Sequence, residues 1–152
     1  MKTSSLRLLC GAIVALTVTF SGVSHAGAST PNLVGTWTGV YDVSTPTSVN
    51  KSSVTIVVSA QQGANLSATR TWKRIDGSKG VSNGKTVAGA TEKLLGVIGF
   101  DGKSVTFVES GAGPESNGVL TGKITGRNIL QLIFAQPGAV ARAGRLELRR
   151  TQ

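Results

Sequence analysis

The chain has 152 residues, of which 16 are Lys or Arg and 7 are Asp or Glu, so its formal net charge at pH 7 is +9. Its single cysteine, histidine and methionine are Cys10, His25 and Met1. Residues 27–152 therefore contain no thiol, imidazole or thioether. This excludes a disulfide framework, metal sites built on such ligands, and catalytic triads that need histidine or cysteine. We expect this region to hold no metal and no cofactor.

Residues 1–26 have the three parts of a cleavable secretory signal peptide. A short cationic start is followed by an uncharged stretch from Leu8 to Val23, and cleavage after either Ala26 or Ala28 satisfies the small-residue pattern. The uncharged stretch of about 16 residues is shorter than the roughly 20 residues that span a bilayer, so an uncleaved anchor is the less favoured alternative. The sequence predicts a periplasmic or secreted protein with no transmembrane segment after cleavage.

The sequence after the signal peptide consists of short runs in which apolar and polar residues alternate, separated by Gly, Asn, Asp and Ser. A period of two is typical of antiparallel strands joined by tight turns. No stretch shows a sustained helical period. The pattern predicts eight strands, at residues 34–42, 53–60, 64–74, 91–100, 103–110, 117–125, 128–136 and 139–150.

The turn signals indicate how these strands are connected. Asp101-Gly102 predicts a hairpin because both residues tolerate positive φ, and Gly126-Arg127-Asn128 and Gln136-Pro137-Gly138 mark two more turns. Residues 75–90 lack apolar periodicity and are predicted to be one long loop. Residues 27–152 are thus expected to form a single all-β domain, an eight-stranded antiparallel up-and-down barrel, with a β-sandwich as the alternative.

The opening strand carries a family resemblance in Leu33-Val34-Gly35-Thr36-Trp37-Thr38-Gly39. This segment resembles the Gly-x-Trp first strand of the calycin barrels, which include the lipocalins and avidin-like proteins. In lipocalins the tryptophan closes one end of the barrel beneath an arginine of the last strand, and the resemblance implies that part for Arg149 or Arg150. The other family motifs are missing, and the several tryptophans of a biotin pocket are absent. The resemblance implies an architecture and leaves the ligand open.

The period of two also predicts which side chains face the barrel interior. In the third predicted strand Arg70 and Trp72 lie on the more apolar face, and in the last strand Arg142 lies on the more apolar face as well. Trp37 and Tyr41 of the first strand share the interior with them. These five residues are the candidate ligand contacts.

Two explanations compete for the inward arginines, because a buried cation is costly unless it is paired or hydrated. In the first, Arg70 and Arg142 face a lumen in which a guanidinium binds an anion while aromatic rings contact its apolar body. In the second, both arginines lie at the barrel mouth and extend their charged heads into water. For Trp37 and Trp72 the corresponding alternatives are contact with a ligand and packing in the hydrophobic core.

The net positive charge of the chain gives information about binding partners and not about a reaction. Removal of Lys2 and Arg7 leaves fourteen basic residues against seven acidic ones, a net charge of about +7. Such a field favours anionic partners, namely lipid headgroups, acidic polysaccharide or an acidic protein. Nucleic acid is not expected, because single-strand binding uses several aromatic side chains and the compartment is wrong. A basic cluster surrounds the third strand and the long loop, comprising Arg70, Lys73, Arg74, Lys79 and Lys85.

These features predict an exported barrel that is not an enzyme and binds a small, partly apolar, anionic ligand. Asp42, Glu109 and Glu115 are the carboxylates available for glycoside hydrolysis, and nothing in their spacing pairs any two of them. The alternative is a protein interaction module on the same barrel, such as a hydrolase inhibitor or an adhesin. That alternative predicts a filled barrel and a protruding loop at residues 75–90.

Overall fold

In the part of the chain that the structure describes, the alternating pattern of the sequence forms ten β-strands. The computed structural model describes residues 29–82, 84–111, 117–138 and 141–151, so the predicted signal peptide lies outside the described residues. Within these ranges there is no helix long and apolar enough to cross a membrane. The strands are β1 (Gly35–Ser44), β2 (Val49–Gln62), β3 (Asn65–Arg74), β4 (Gly80–Ser82), β5 (Lys85–Val87), β6 (Gly89–Ile98), β7 (Ser104–Glu109), β8 (Val119–Gly126), β9 (Ile129–Gln136) and β10 (Arg142–Arg150).

Eight of these strands close into an antiparallel barrel in the order β1-β10-β9-β8-β7-β6-β3-β2. Closure occurs between the first and last strands, where Trp37 lies opposite Arg150 and Val43 lies opposite Gly144. A closed barrel leaves no sheet edge unpaired. The predicted eight-stranded barrel is confirmed, and the sandwich alternative is wrong.

The segment predicted as one long loop differs from the expectation. It contains a two-stranded hairpin formed by β4 and β5, and β6 already begins at Gly89. Two strands of three residues each are too short to show apolar alternation, which is why the sequence pattern did not reveal them. Gly84 has a φ of 71° and supplies the left-handed backbone of the turn.

The two ends of the barrel are differently covered. At the end that we call the closed end lie the turns β2–β3, β6–β7 and β8–β9. The segment before β1 also folds across it, because Leu33 is buried and its N–H donates to Gln61 Oε1 at 2.8 Å. The opposite end, the mouth end, carries the β1–β2 turn, the β4–β5 hairpin and the β9–β10 connection.

The interior changes character along the barrel axis. Toward the closed end the inward side chains are aliphatic or aromatic, and we call this the apolar half: Leu33, Trp37, Leu66, Ile98, Val105, Leu130 and Leu148. Toward the mouth end charged and hydroxyl groups enter the same alternation, and we call this the polar half: Tyr41, Ser52, Arg70, Trp72, Arg74, Glu109, Phe134 and Arg142. The polar half is the candidate functional region.

Candidate functional site at the barrel mouth

Strand β3 brings three polar-half residues into the barrel. Alternate residues of a strand point to the same face, so Arg70, Trp72 and Arg74 all face inward. The three side chains are buried, with exposed fractions of 3%, 5% and 7%. Between them, Thr71 and Lys73 face solvent.

Arg70 forms a buried ion pair with Glu109 of β7. The carboxylate also accepts a hydrogen bond at 2.9 Å from the N–H of Gly118, and the Arg70 Cζ lies 4.3 Å from the centroid of the Phe134 ring. Gly118 is required by space, since a Cβ there would lie 2.6 Å from both Glu109 Oε2 and a Phe134 ring carbon. Arg70 therefore has its counter-charge inside the barrel, and the prediction that its head extends into water is wrong.

Arg74 has no such counter-charge among the described residues. Its Nη1 donates to the hydroxyl of Ser52 at 3.1 Å, and its Cζ lies 5.7 Å from the Trp72 ring centroid. Its Nε has no hydrogen-bond partner among the described residues, and no described carboxylate forms an ion pair with it. A guanidinium that is 7% exposed and paired only with a hydroxyl is electrostatically incomplete.

The pKa of Tyr41 reflects the burial and the charges of the polar half. Its pKa is raised from the ordinary value of 10.0, mainly because burial disfavours the phenolate. The positive charges of Arg70, Arg74 and Arg142 oppose this shift. The Glu109 carboxylate acts in the opposite direction, so three positive charges and one negative charge act on this buried phenol.

The β4–β5 hairpin covers the mouth. Gly80 lies against the Trp72 ring, where a Cβ would approach a ring carbon to 2.5 Å. The carbonyl of Val81 accepts hydrogen bonds from both terminal nitrogens of Arg142, at 3.3 and 3.2 Å. Ser82 donates to Glu92 Oε1 at 3.0 Å. The hairpin is therefore held on the barrel by Trp72, Arg142 and Glu92.

Two spaces adjoin this hairpin, and they differ in size. The void inside the polar half has a volume of about 10 Å³, about enough for one water molecule. The second space is an open cleft of about 440 Å³ at the rim, which we call the mouth cleft. Arg74 and Arg142 line both spaces. The mouth cleft is lined by Thr45, Pro46, Thr47, Ser48, Asn50, Arg74, Lys79, Gly80, Val81, Ala141 and Arg142.

The mouth cleft is a cationic site. Of the described residues that line it, Arg74, Lys79 and Arg142 are basic and none is acidic. Pro46 and Val81 add apolar surface. Such a lining can bind an anion by charge-assisted hydrogen bonds while it contacts an apolar group beside it.

A second large groove lies on the outer face of the barrel and has a different character. It has a volume of about 590 Å³ and includes Lys123, Arg145 and Glu147 in its lining. Glu147 forms an exposed ion pair with Arg149 at 2.9 Å. The outer groove thus contains both signs of charge and lacks a buried charged group.

The structure brings together four of the five candidate ligand contacts. Tyr41, Arg70, Trp72 and Arg142 line the same interior void. Trp37 lies in the apolar half, fully buried, and its indole N–H donates to the Leu33 carbonyl at 3.0 Å.

Trp37 takes part in the cover of the closed end together with the last strand. The Arg150 Cζ lies 4.5 Å from the Trp37 ring centroid, and its Nη2 donates to the Asn32 carbonyl at 2.6 Å. Arg150 is one of the two arginines that the sequence resemblance named for this position. The five side chains therefore do not form one site, and Trp37 has a packing role.

Sequence reasoning missed several members of the site. The basic cluster around β3 is divided by the strand, since Arg70 and Arg74 face the interior whereas Lys73 is exposed. Arg74 shares the parity of Arg70, so the alternation contained the signal that places it inside. Glu109 was recognised only as an isolated carboxylate, and its role depends on contact with a distant strand.

The described residues contain no group of three or more His, Cys, Asp or Glu side chains that could hold a metal ion. No family model, curated protein or solved structure matches this chain. The relation to the calycin barrels stays a prediction based on the first strand. The function must therefore be argued from the site itself.

Proposed function

We propose that this chain is an exported binding protein that holds a small, partly apolar anion in the mouth cleft and catalyses no reaction. Residues 1–26 are, in this proposal, a signal peptide, and the barrel acts in the periplasm or outside the cell. The calycin resemblance of the first strand is consistent with a binding role and does not indicate a ligand.

Arg74 is the observation that carries this proposal. Desolvation of a charged group is costly unless an opposite charge or several hydrogen bonds compensate it. Arg70 has Glu109, whereas Arg74 has the Ser52 hydroxyl and the Trp72 ring but no carboxylate among the described residues. An anion in the mouth cleft would lie beside Arg74, Arg142 and Lys79 and would supply the missing counter-charge.

The dimensions favour the mouth cleft over the barrel lumen as the binding place. Ligand pockets in proteins commonly enclose roughly 300 to 1,000 Å³, and the mouth cleft, at about 440 Å³, falls in this range. The interior void of about 10 Å³ is too small for any organic ligand. The apolar part of the ligand would contact Pro46, Val81 and Ala141.

A non-catalytic role is supported by the chemistry of the available groups. Residues 27–152 contain no histidine or cysteine, which are the side chains most often used as a general base or nucleophile near neutral pH. The carboxylate of Glu109 is occupied by Arg70 and the Gly118 N–H. Binding of an anion by charge and shape needs no general base and no nucleophile.

Titration with anilinonaphthalene sulfonate tests the proposal, because this fluorescent probe is small, aromatic and anionic. We expect saturable binding, and we expect Arg74→Gln and Arg142→Gln each to weaken it by about 10- to 100-fold, the equivalent of a charge-assisted hydrogen bond. The uncharged analogue phenylnaphthylamine should bind the wild-type protein more weakly. Circular dichroism melting curves of each variant establish that the barrel is folded.

The matched control is Arg145→Gln, which removes an exposed arginine of the same strand as Arg142. It should leave probe binding unchanged. If Arg145→Gln weakens binding while Arg74→Gln does not, the probe occupies the outer groove and the proposal is wrong. Native mass spectrometry of the exported protein purified from its own cells would then identify a ligand that copurifies and give the cleavage site from the polypeptide mass.

A second candidate is the protein interaction module, and the filled barrel interior favours it. The β4–β5 hairpin supports it only in part, because Gly80 and Val81 fold back onto the mouth. Exposed Lys85 and Thr86 are the residues that such a module would present. The substitution Lys85→Glu should abolish capture of an acidic protein partner and leave probe binding in the mouth cleft intact.

A further inference from the structure

The tip of the β6–β7 turn, at the closed end, exposes a large aromatic side chain. Phe100 is fully accessible to solvent, more so than any other large hydrophobic residue among those described. It follows the buried Ile98 by two positions. A single exposed aliphatic side chain is common on protein surfaces. A fully exposed aromatic ring is unfavourable, because its large apolar area stays in contact with water.

The turn that presents Phe100 is rigidly built. Asp101 Oδ1 accepts hydrogen bonds from the N–H of Lys103 at 2.9 Å, and from the N–H and hydroxyl of Ser104 at 2.7 and 2.8 Å. These bonds lower the pKa of Asp101 to about 2. Gly102 adopts a φ of 63°, and a Cβ on Gly99 would lie 2.0 Å from the Ser104 hydroxyl oxygen. The turn thus fixes Phe100 in its outward position.

Basic residues lie in this turn and on the neighbouring strand and turn of the closed end. Lys103 is in the same turn, and Lys123 lies opposite Ser104 on β8, close enough to act on the Asp101 carboxylate. Arg127 is exposed in the neighbouring β8–β9 turn, which joins the same end of the barrel. The Asp101 carboxylate stays ionised above its lowered pKa, so it and these three basic residues together carry a net charge of +2.

The outer surface next to the turn continues the apolar character of Phe100. Val97 and Leu95 face outward on β6, and Val108 lies beside Leu95 on β7. Their exposed fractions are 45%, 55% and 43%. An exposed aromatic ring with the exposed Val97 three positions before it and cations in the same region matches the boundary of a lipid bilayer, where apolar groups enter the acyl region and cations contact headgroup phosphates.

We propose that the closed end docks onto an anionic lipid bilayer, with Phe100 inserted at the headgroup boundary and Lys103, Lys123 and Arg127 against the lipid phosphates. Charge complementarity selects an anionic membrane over a neutral one. In this orientation the mouth cleft, at the other end of the barrel, faces away from the membrane and stays open. The proposal is independent of the ligand-binding role.

Vesicle cosedimentation of the exported protein, purified from cells that express the full chain, measures the interaction. We expect binding to phosphatidylcholine vesicles that contain phosphatidylglycerol, weak binding to pure phosphatidylcholine, and weakening at high salt. Phe100→Ala should lower the partition coefficient by at least about tenfold, whereas Phe100→Leu should retain most of it. Lys103→Gln and Lys123→Gln should each lower it by about fivefold.

The matched control is Ile75→Ala, which removes an apolar side chain that is 49% exposed beyond the mouth-end terminus of β3. It should not change the partition coefficient. Vesicle binding that is absent, or that is equal in wild type and Phe100→Ala, overturns the proposal. Because the Phe100 ring is fully exposed in the folded state, Phe100→Ala should keep the melting temperature of the wild-type protein.

A second readout locates the contact. The variant Phe100→Trp places a fluorophore at the tip, whereas Trp37 and Trp72 are buried inside the barrel. With phosphatidylglycerol vesicles that contain brominated lipid, we expect a blue shift and quenching of the introduced tryptophan. Emission that stays unquenched while the protein cosediments shows that another surface holds the membrane, which contradicts the proposed orientation.

Discussion

The apolar half and the polar half of the barrel interior are filled by the same strand alternation with different chemistry. Around Trp37 the inward side chains are aliphatic and aromatic, and their stabilisation comes from burial and close packing. Around Arg70 the inward side chains are charged, and their stabilisation depends on pairing. The apolar half therefore tolerates changes of shape poorly, while the polar half tolerates changes of charge poorly.

The two halves also differ in completeness. In the apolar half the one polar atom of Trp37 is bonded to the Leu33 carbonyl. In the polar half the Nε atoms of Arg70 and Arg74 both lack a hydrogen-bond partner among the described residues, and only Arg70 has a described carboxylate beside it. Incomplete compensation of a buried charge is tolerated at functional sites more often than in structural cores. This difference is the reason that we propose the binding site at the polar half.

The largest effect is expected in the apolar half. Trp37→Ala removes a fully buried indole, and we expect it to lower the free energy of unfolding by about 3–5 kcal/mol through lost burial and a cavity. Urea denaturation followed by circular dichroism measures the change. The control Phe100→Ala, which removes a fully exposed ring, should change the same quantity by less than about 0.5 kcal/mol. Equal effects would show that Trp37 is not a packing residue.

The next effect concerns the charge pair of the polar half. Glu109→Gln keeps the side-chain shape but leaves the Arg70 guanidinium buried without a carboxylate, so we expect a loss of about 3 kcal/mol in the free energy of unfolding. The double variant Arg70→Met, Glu109→Gln should regain most of that loss, because no charge remains buried. Denaturation of the single and double variants gives both numbers.

The exposed pair of Glu147 and Arg149 provides the control for this comparison. Glu147→Gln should lower the free energy of unfolding by less than about 1 kcal/mol, since solvent-exposed ion pairs are weak.

One outcome would contradict the role given to the buried pair. If the double variant Arg70→Met, Glu109→Gln is as unstable as Glu109→Gln alone, Glu109 stabilises the barrel through Gly118 and not through Arg70.

The smallest effect concerns two exposed carboxylates, one at each end of the barrel. Hydrogen bonds lower the pKa values of Asp76 and Asp101 from 3.8 to about 2. Both groups thus stabilise the folded state above the unfolded value of 3.8, and this contribution is lost as the pH falls toward about 2. Stability should decline over this interval, and Asp101→Asn should reduce the decline. An unchanged profile in this variant would contradict the role given to the turn.

The barrel strands could be predicted because their signals are local. Alternation of side chains with a period of two and the Gly-containing turns at Gly102 and Gly138 are readable without any partner strand. The eight predicted runs each correspond to one strand of the barrel. The hairpin of β4 and β5 escaped prediction because its strands are three residues long.

The site was predictable only in part. The alternation of side chains predicted that Arg70, Trp72 and Arg142 face the interior. It shows on which face of a strand a residue lies, but not how far along the barrel axis it lies. Trp37 and Tyr41 are both inward residues of β1, yet they are four positions apart, which corresponds to about 13 Å along the strand. That separation puts Trp37 at the closed end and Tyr41 in the polar half.

The order of residues along each strand is enough to predict a β-barrel with arginines in its interior, because strand alternation is a local property. Which of those arginines is neutralised depends on contacts between strands. Arg70 meets Glu109 because the strand order β3-β6-β7 places β7 next but one to β3, whereas Arg74 meets the hydroxyl of Ser52, its pairing partner on β2, and the open mouth cleft. These contacts depend on the order and register of the strands in the sheet, and no local pattern encodes them.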